Sequence, residues 1–227
     1  MHQRSSKSLL LVASLLSVLL ASAAHSATQV ASGPEDQAIP EGFTRQDQLR
    51  GSITPEREWW DVLHYDLALQ VFPKTKSIAG SNIISFRTLT AGERMQVDLQ
   101  PPLAITRVVH GDAELEFVRE GNVYWIQFAQ ALAPAVEDQI QIYYEGTPVE
   151  STNPPWSGGF TWSEDEQGKP FIATTCQGIG ASIWWPNKDH GADEPDHGMD
   201  IHITVPKGLT AVSNGRLHAR SEDAAAK

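Results

Sequence analysis

The chain has 227 residues, a single cysteine and a formal net charge of −11 at pH 7 with histidine counted as neutral. One cysteine cannot form a disulfide within the chain, so the fold has to be stabilised by a packed core. The acidic balance argues against nucleic acid and anionic membrane surfaces as partners, because both require a basic protein face.

The first residues have the composition of a signal peptide. Arg4 and Lys7 precede an apolar run over residues 8–20, and small side chains that suit a signal peptidase follow at residues 21–26. The apolar run is shorter than the about 20 residues that a membrane-spanning helix needs. The sequence therefore predicts a signal peptide at residues 1–27 and an exported protein, periplasmic or secreted, with no membrane partner after cleavage.

Residues 28–54 are polar and contain several Gly and Pro residues, so they are predicted to form a flexible leader before a domain at residues 55–227. The domain begins with a period-two pattern in which Tyr65, Leu67 and Leu69 alternate with mostly polar residues, as in a half-buried strand. Similar patterns, separated by Gly-containing turns, predict further strands at residues 77–88, 94–99, 105–110, 113–119, 122–129 and 139–144. No segment after the signal peptide shows a sustained helical period.

The second half of the domain is less regular. Residues 148–168 are predicted to be a loop-rich insert, with strands resuming at residues 170–175 and 180–185. Alternation over residues 199–205 predicts one more strand, and an Asn-Gly dipeptide within residues 212–217 predicts a hairpin. Because the chain ends soon after this hairpin, we expect the domain to be incomplete at its C-terminal end. The fold class is therefore predicted to be all-β, a mainly antiparallel β-sandwich.

The stretch "WWPNKDHGADEPDHGMDIH" at residues 184–202 is the strongest candidate for a metal site. His190, Glu194 and His197 have the spacing H-x-x-x-E-x-x-H, and other side chains that bind metals lie close in sequence: Asp189, Asp193, Asp196 and His202. Zinc motifs of this kind place their histidines on one helix face, and Pro195 with two glycines makes a helix improbable here. We therefore interpret the stretch as a polar connection whose carboxylates cap turns, and a small metallohydrolase built on it as the alternative.

Two other features carry candidate chemistry. Cys176 lies in an apolar run and is predicted to be a buried, unreactive thiol, with a catalytic nucleophile as the alternative. Four of the seven tryptophans lie in residues 156–185. Packing in the core or between domains is the favoured interpretation of these tryptophans. The alternative is a platform for sugars or peptides on a free-standing secreted β-sandwich binding module.

Several segments together resemble one family, the gluzincin zinc aminopeptidases of the aminopeptidase N type, and are most similar to its secreted bacterial members. These segments cover residues 56–217 in the family's order: "HYDLALQV", "VDLQPPLAITRVV", "PWSGGFTW", "FIATTCQGIGASIWWPNKDHGADEPDHGMDIHITVP" and "GLTAVSNGRL". The resemblance implies an N-terminal β domain, a saddle of mainly antiparallel strands that packs on the catalytic domain of the same parent chain.

The resemblance also implies a function. The parent enzyme would use zinc to remove N-terminal residues from peptides, and Gln177 lies where the family places a Gln or Glu that binds the α-amino group of the peptide N-terminus. The alternative interpretation of Gln177 is an ordinary turn residue. The family's H-E-x-x-H and G-x-M-E-N motifs are absent from this chain. We therefore expect no catalytic residue, no bound metal and no peptidase activity in this chain alone.

Overall fold

A computed structural model of the chain describes residues 42–222. The predicted signal peptide and the leader up to residue 41 lie outside the described residues. Helix α1, Arg45–Gly51, begins with a capping box in which Thr44 and Asp47 exchange hydrogen bonds between side chain and backbone. Helix α2, Pro55–Glu58, has proline in its first turn, where the missing N–H needs no partner.

Helix α1, Arg45–Gly51, lies within the segment that was predicted to be a leader. A seven-residue helix is too short to be stable alone, so α1 depends on its contacts. The side chain of Leu49, in α1, is fully buried against Val123 and Trp125. Because only this one apolar residue of α1 packs inward, the hydrophobic pattern that marks a helix was too weak to detect.

The largest sheet has six strands in the order β11-β1-β2-β8-β4-β5. Its strands are β1 (Trp60–Phe72), β2 (Ser77–Thr88), β4 (Ala104–His110), β5 (Ala113–Glu114), β8 (Glu137–Gly146) and β11 (Met199–Thr204). All neighbours are antiparallel except β11, which runs parallel to β1. The long strands β1 and β2 approach closely at Gly80, where a Cβ atom would lie 2.1 Å from the carbonyl oxygen of Ala68.

Two smaller sheets complete the domain. One contains β3 (Gly92–Asp98), β7 (Val123–Leu132) and β6 (Glu116–Glu120), in that order, and the other pairs β9 (Gly159–Glu164) with β10 (Pro170–Thr175). Aromatic rings fill the space between the six-stranded sheet and the three-stranded sheet. Trp59 contacts Phe86 and Phe128 edge-to-face, with ring centroids 6.0 and 5.9 Å apart. The prediction of a mainly antiparallel all-β fold is confirmed.

Four details of the strand prediction were wrong. The strand at residues 113–119 is divided between β5 and β6, which belong to different sheets. The loop-rich insert contains strand β9, and residues 180–185 form a 3₁₀ helix, Ala181–Ile183, instead of a strand. Residues 212–217 contain no strand, because a hairpin is marginal in water without a neighbour to pack on.

No helix among residues 42–222 is long and apolar enough to cross a membrane.

Candidate functional site

Gln177 lies in an exposed turn that joins β10 to the 3₁₀ helix. The turn is closed by two backbone hydrogen bonds to the carbonyl of Cys176, from the N–H groups of Ile179 (3.2 Å) and Gly180 (3.0 Å). Gly178 adopts φ of +76°, a left-handed conformation that glycine enters without steric cost. The backbone of the turn is therefore tightly folded, and the Gln177 side chain is accessible to a ligand.

Two side chains from distant parts of the chain hold this turn. Arg50 of α1 donates from Nη2 to the carbonyl oxygen of Gly178 at 2.6 Å. Gln100, which follows β3, donates from Nε2 to the carbonyl oxygen of Ile179 at 2.5 Å and to Oγ of Ser182 at 3.0 Å. Each of these carbonyls belongs to the same peptide group as one of the N–H donors that close the turn. Each long-range bond therefore fixes a peptide group of the turn.

Asp189 supports the turn from the other side. Its Oδ2 accepts hydrogen bonds from the backbone N–H (3.1 Å) and the hydroxyl (2.6 Å) of Ser182. A Cβ atom added to Gly180 would lie only 2.1 Å from this Oδ2 atom, and Gly180 has φ of +85°. A side chain at this position would displace Asp189. The N–H of Asp189 donates to Oδ2 of Asp98 at 2.9 Å, which connects the turn to the interior.

Arg57 and Asp98 form a buried ion pair beneath the turn. Their side chains are only 1% and 5% exposed, and Nη2 of Arg57 donates to both carboxylate oxygens of Asp98 at 2.7 Å. Burial raises the pKa of Asp98, and the charge of Arg57 opposes that shift. Nη1 of Arg57 donates to carbonyl oxygens at the end of α1, those of Leu49, Arg50 and Ser52. The pair therefore joins α1, β3 and the segment that carries Asp189.

Sequence reasoning did not identify Arg50, Gln100 or the ion pair of Arg57 and Asp98. Gln96 and Asp98 are both buried in β3, and the amide of Gln96 donates to the Asp98 carboxylate at 3.1 Å. In the second half of β3 these two residues alternate with the apolar Met95 and Val97, so they face the same side of the sheet. A buried carboxylate on that side needs a cationic partner. This pattern was the signal available in the sequence, although it does not name Arg57 as the partner.

The candidate metal ligands at residues 189–202, which belong to the alternative interpretation of this stretch, are engaged elsewhere. Asp193 pairs with the buried Lys188 and accepts from the N–H of Val62. Nδ1 of His190 accepts from the N–H of Ala192 at 3.1 Å. Burial lowers the pKa of Lys188, and the hydrogen bond to Asp193 opposes that shift.

The remaining candidate ligands of this stretch are dispersed. Glu194 and His197 are exposed, Asp196 lies 4.0 Å from Arg87, and His202 lies 3.1 Å from Asp66. Within residues 42–222, no three His, Cys, Asp or Glu side chains form a group that could hold a metal ion. The stretch is a polar connection fixed to β1 and to the buried ion pair.

Cys176 is exposed, so the prediction of a buried thiol was wrong. The apolar run in front of it forms β10, an edge strand of a two-stranded sheet, which leaves even Phe171 57% exposed. Packing around the sulfur still raises the pKa of the Cys176 thiol, with a smaller contribution from the Asp189 carboxylate. A raised pKa keeps the thiol protonated at neutral pH, where it is a poor nucleophile.

Three of the four tryptophans in residues 156–185 pack against other aromatic rings. Trp185 contacts Tyr65 edge-to-face at 4.7 Å, and Trp184 lies 6.0 Å from Trp185. Trp162 stacks on Phe160 at 5.4 Å. Trp156 differs, because it is 76% exposed. The tryptophans therefore do not form a continuous aromatic platform.

The chain is similar to a known protein family in sequence and to several solved structures in fold. Residues 62–227 match the family model of the Peptidase M1 N-terminal domain. No match was found among curated proteins. Among solved structures, the fold is similar to an M1 zinc metallopeptidase from Deinococcus radiodurans, with 19% identity and a TM-score of 0.60 over 74% of this chain and 37% of the other.

Two further solved structures are similar. A mutant of the Deinococcus radiodurans M1 zinc metallopeptidase, bound to a Tyr-Ser-Ala substrate, shares 22% identity at a TM-score of 0.60, over 78% of this chain and 40% of that one. Leukotriene A4 hydrolase from Saccharomyces cerevisiae shares 20% identity at a TM-score of 0.52, over 70% and 27% of the two chains. This chain therefore matches well under half the length of each, and identities this low show a common fold.

Proposed function

Because the chain belongs to the M1 family of zinc metallopeptidases, whose N-terminal domain it carries over residues 62–227, we propose that it recognises the substrate end for a zinc aminopeptidase. The parent protein is an exported enzyme that removes N-terminal residues from peptides. Its partners are the peptide N-terminus and the catalytic domain of the same parent chain. We assign the zinc of the parent protein, and the chemistry it supplies, to that catalytic domain.

The observation that carries the proposal is the exposed Gln177 on a firmly held turn. The amide oxygen of Gln177 accepts a hydrogen bond from the α-ammonium group of a peptide, which orients the peptide end. A neutral amide lacks the charge-assisted strength that a carboxylate has with an ammonium group. Fixing the turn offsets part of this weakness, because a preorganised acceptor loses little conformational freedom on binding.

Kinetics of the protein that joins this chain to a catalytic domain test the proposal. With an aminoacyl p-nitroanilide as substrate, Gln177→Ala should lower kcat/KM about tenfold, the effect of one lost hydrogen bond to a charged group. Gln177→Glu should retain or exceed the activity of the unsubstituted protein. Gln167→Ala, in the exposed β9–β10 turn, is the matched control. An unchanged kcat/KM for Gln177→Ala, or a protein without a catalytic domain, would contradict the proposal.

Export rests on the signal-peptide pattern and needs its own test. N-terminal sequencing of the mature protein from the producing cells should find a start within residues 22–28. A mature protein that retains residues 1–20 would contradict export.

A free-standing secreted β-sandwich binding module is the second proposal, and the exposed Trp156 is the observation in its favour. Glycan or peptide binding by the 227-residue chain, lost on Trp156→Ala but not on Trp162→Ala, would favour it over the aminopeptidase proposal.

A further inference from the structure

We propose that Arg50 is a positioning residue for Gln177, and that α1 acts as a clasp that fixes the turn on which Gln177 lies. The inference rests on the proposed function of Gln177. It concerns a segment that precedes residues 62–227, the part of the chain that matches the family model. The clasp is therefore a feature of this chain beyond the matched domain.

The first step is how Arg50 acts on the turn. The carbonyl oxygen of Gly178 accepts from Nη2 of Arg50 at 2.6 Å. That carbonyl shares a peptide plane with the N–H of Ile179, which closes the turn on Cys176 at 3.2 Å. A peptide group is rigid, so holding its oxygen also holds its N–H. Gln177 precedes this peptide group by one residue and takes its orientation from it.

The second step is how α1 is held. At its C-terminal end, the carbonyls of Leu49, Arg50 and Ser52 accept from the buried guanidinium of Arg57. The helix therefore ends on a group that is itself fixed by two hydrogen bonds to Asp98. The backbone of Arg50 is set by the interior of the domain, although its side chain lies on the surface.

The other end of α1 rests on the β6–β7 turn. Nε of Arg45 donates to Oε1 of Glu120 at 3.0 Å, and Nε1 of Trp125 donates to the other oxygen of Glu120 at 2.9 Å. Oε1 of Gln46 accepts from the N–H of Asn122 at 3.2 Å. With Leu49 buried between these ends, α1 is attached to the domain along its whole length. Arg50 is therefore a fixed donor for the turn.

Loss of the hydrogen bond from Arg50 should weaken the binding of a ligand to Gln177. Without the bond from Arg50, the peptide group between Gly178 and Ile179 gains freedom and Gln177 samples more orientations. A ligand then has to order the turn as it binds, which weakens its affinity without removing any direct contact. The expected loss is about fivefold, the typical value of one net hydrogen bond.

Hydrogen exchange in the 227-residue chain gives the first test. Arg50→Met should speed exchange of the Ile179 N–H about fivefold, and Arg50→Lys should restore part of the protection. Arg107→Met is the control, because Arg107 pairs with Glu114 on the exposed surface and takes no part in holding α1; it should leave this amide unchanged. Equal melting temperatures for both Met variants show that the domain stays folded. An unchanged exchange rate of the Ile179 N–H in Arg50→Met would overturn the proposal that α1 fixes the turn.

A double-mutant cycle in the protein that contains a catalytic domain gives the second test. If Arg50 acts through Gln177, Arg50→Met should lower kcat/KM when Gln177 is present and have no further effect in Gln177→Ala. Equal effects of Arg50→Met in both backgrounds would overturn the inference. If Gln177→Ala alone has no effect, the proposed function fails, while the exchange result still decides whether the clasp exists.

Discussion

At the scale of single residues, the buried ion pair of Arg57 and Asp98 is the feature on which most others depend. A buried pair costs desolvation energy, and its value lies in geometry: it joins α1, β3 and the segment of Asp189. Removing one partner leaves an uncompensated charge in the interior. The pair therefore acts as a structural centre for the turn that carries Gln177.

Substitution of Arg57 should be strongly destabilising. Arg57→Met leaves the Asp98 carboxylate buried without its cation, and the expected loss in the free energy of unfolding is about 3–5 kcal/mol. Arg107→Met is the control, because Arg107 pairs with Glu114 on the exposed surface at 2.7 Å and should cost at most about 1 kcal/mol. Urea unfolding measures both. Similar losses in the two variants would show that burial does not matter here.

The thiol of Cys176 should react slowly at neutral pH although it is exposed. Packing raises its pKa above the ordinary value of 9.0, and only the thiolate is nucleophilic. The rate of alkylation by iodoacetamide should therefore rise with pH through a midpoint higher than that of the unfolded chain in urea. A midpoint at or below that of the unfolded chain would contradict the raised pKa.

Residue-scale interpretation from sequence succeeded only where a residue has one evident role. The interpretation of residues 184–202 as a polar connection agrees with the contacts of Asp189 and Asp193. Sequence reasoning missed Arg57 and Arg50, because their partners lie 41 and 128 positions away. A sequence pattern reports neighbours along the chain and does not report which carbonyl a distant guanidinium reaches.

At the scale of secondary structure elements, periodicity predicted the strands with two differently exposed faces. β2 was predicted with the bounds it has, because its buried and half-exposed residues alternate except at Gly80. The strand prediction for residues 180–185 was wrong, since Gly178 and Gly180 both have positive φ and start a turn where the apolar residues suggested a strand. Apolar residues are present in both segments, and backbone conformation decided between strand and turn.

The attachment of α1 should weaken in acid. Hydrogen bonds from Arg45 and Trp125 hold the pKa of Glu120 below its ordinary value of 4.5. The stabilisation is therefore complete above 4.5 and is lost as pH falls through the lower pKa of the folded state. Glu120→Gln should cost at most about 1 kcal/mol near neutral pH and progressively less in acid.

Urea unfolding at a series of pH values measures this difference, and Glu116→Gln on the same strand controls for the loss of a negative charge. A cost of Glu120→Gln that stayed constant down to the lowest pH would contradict the assignment.

The contact between β1 and β2 should not tolerate a side chain at Gly80. In Gly80→Ala the new methyl group would overlap the carbonyl oxygen of Ala68, 2.1 Å away, and the two strands would have to separate. We expect a loss of about 3 kcal/mol in the free energy of unfolding. Gly191→Ala is the control, because nothing lies within 4 Å of its added Cβ atom. A lower melting temperature for Gly191→Ala than for Gly80→Ala would refute this reading of the strand contact.

At the scale of the whole molecule, sheets enclose an apolar core, and one buried ion pair supports the exposed turn that carries Gln177. The fold class followed from composition and strand patterns. The division into three sheets did not, because residues 113–119 form one uninterrupted strand-like pattern in the sequence but pass from one sheet to another between β5 and β6. That change of sheet is set by packing on both sides, which has no signature in the local sequence.

Zinc should leave the stability of this chain unchanged. Since residues 42–222 hold no group of three or more ligands, the melting temperature should be the same with added zinc and with chelator. Zinc bound at unit stoichiometry, and lost in His190→Ala or His197→Ala, would show instead that the histidines of residues 184–202 bind metal.

The parallel pairing of β11 with β1 has a consequence for the order of folding. The register joins Tyr65 to Met199 and Gln70 to Thr204, residues more than a hundred positions apart. During synthesis from the N-terminus, β1 can pair with β2 long before β11 exists. Its other edge then presents unpaired N–H and C=O groups, a template for association with other chains. Until β11 pairs, the chain therefore presents the long edge of the thirteen-residue β1, and the six-residue β11 then becomes a shorter edge of the sheet.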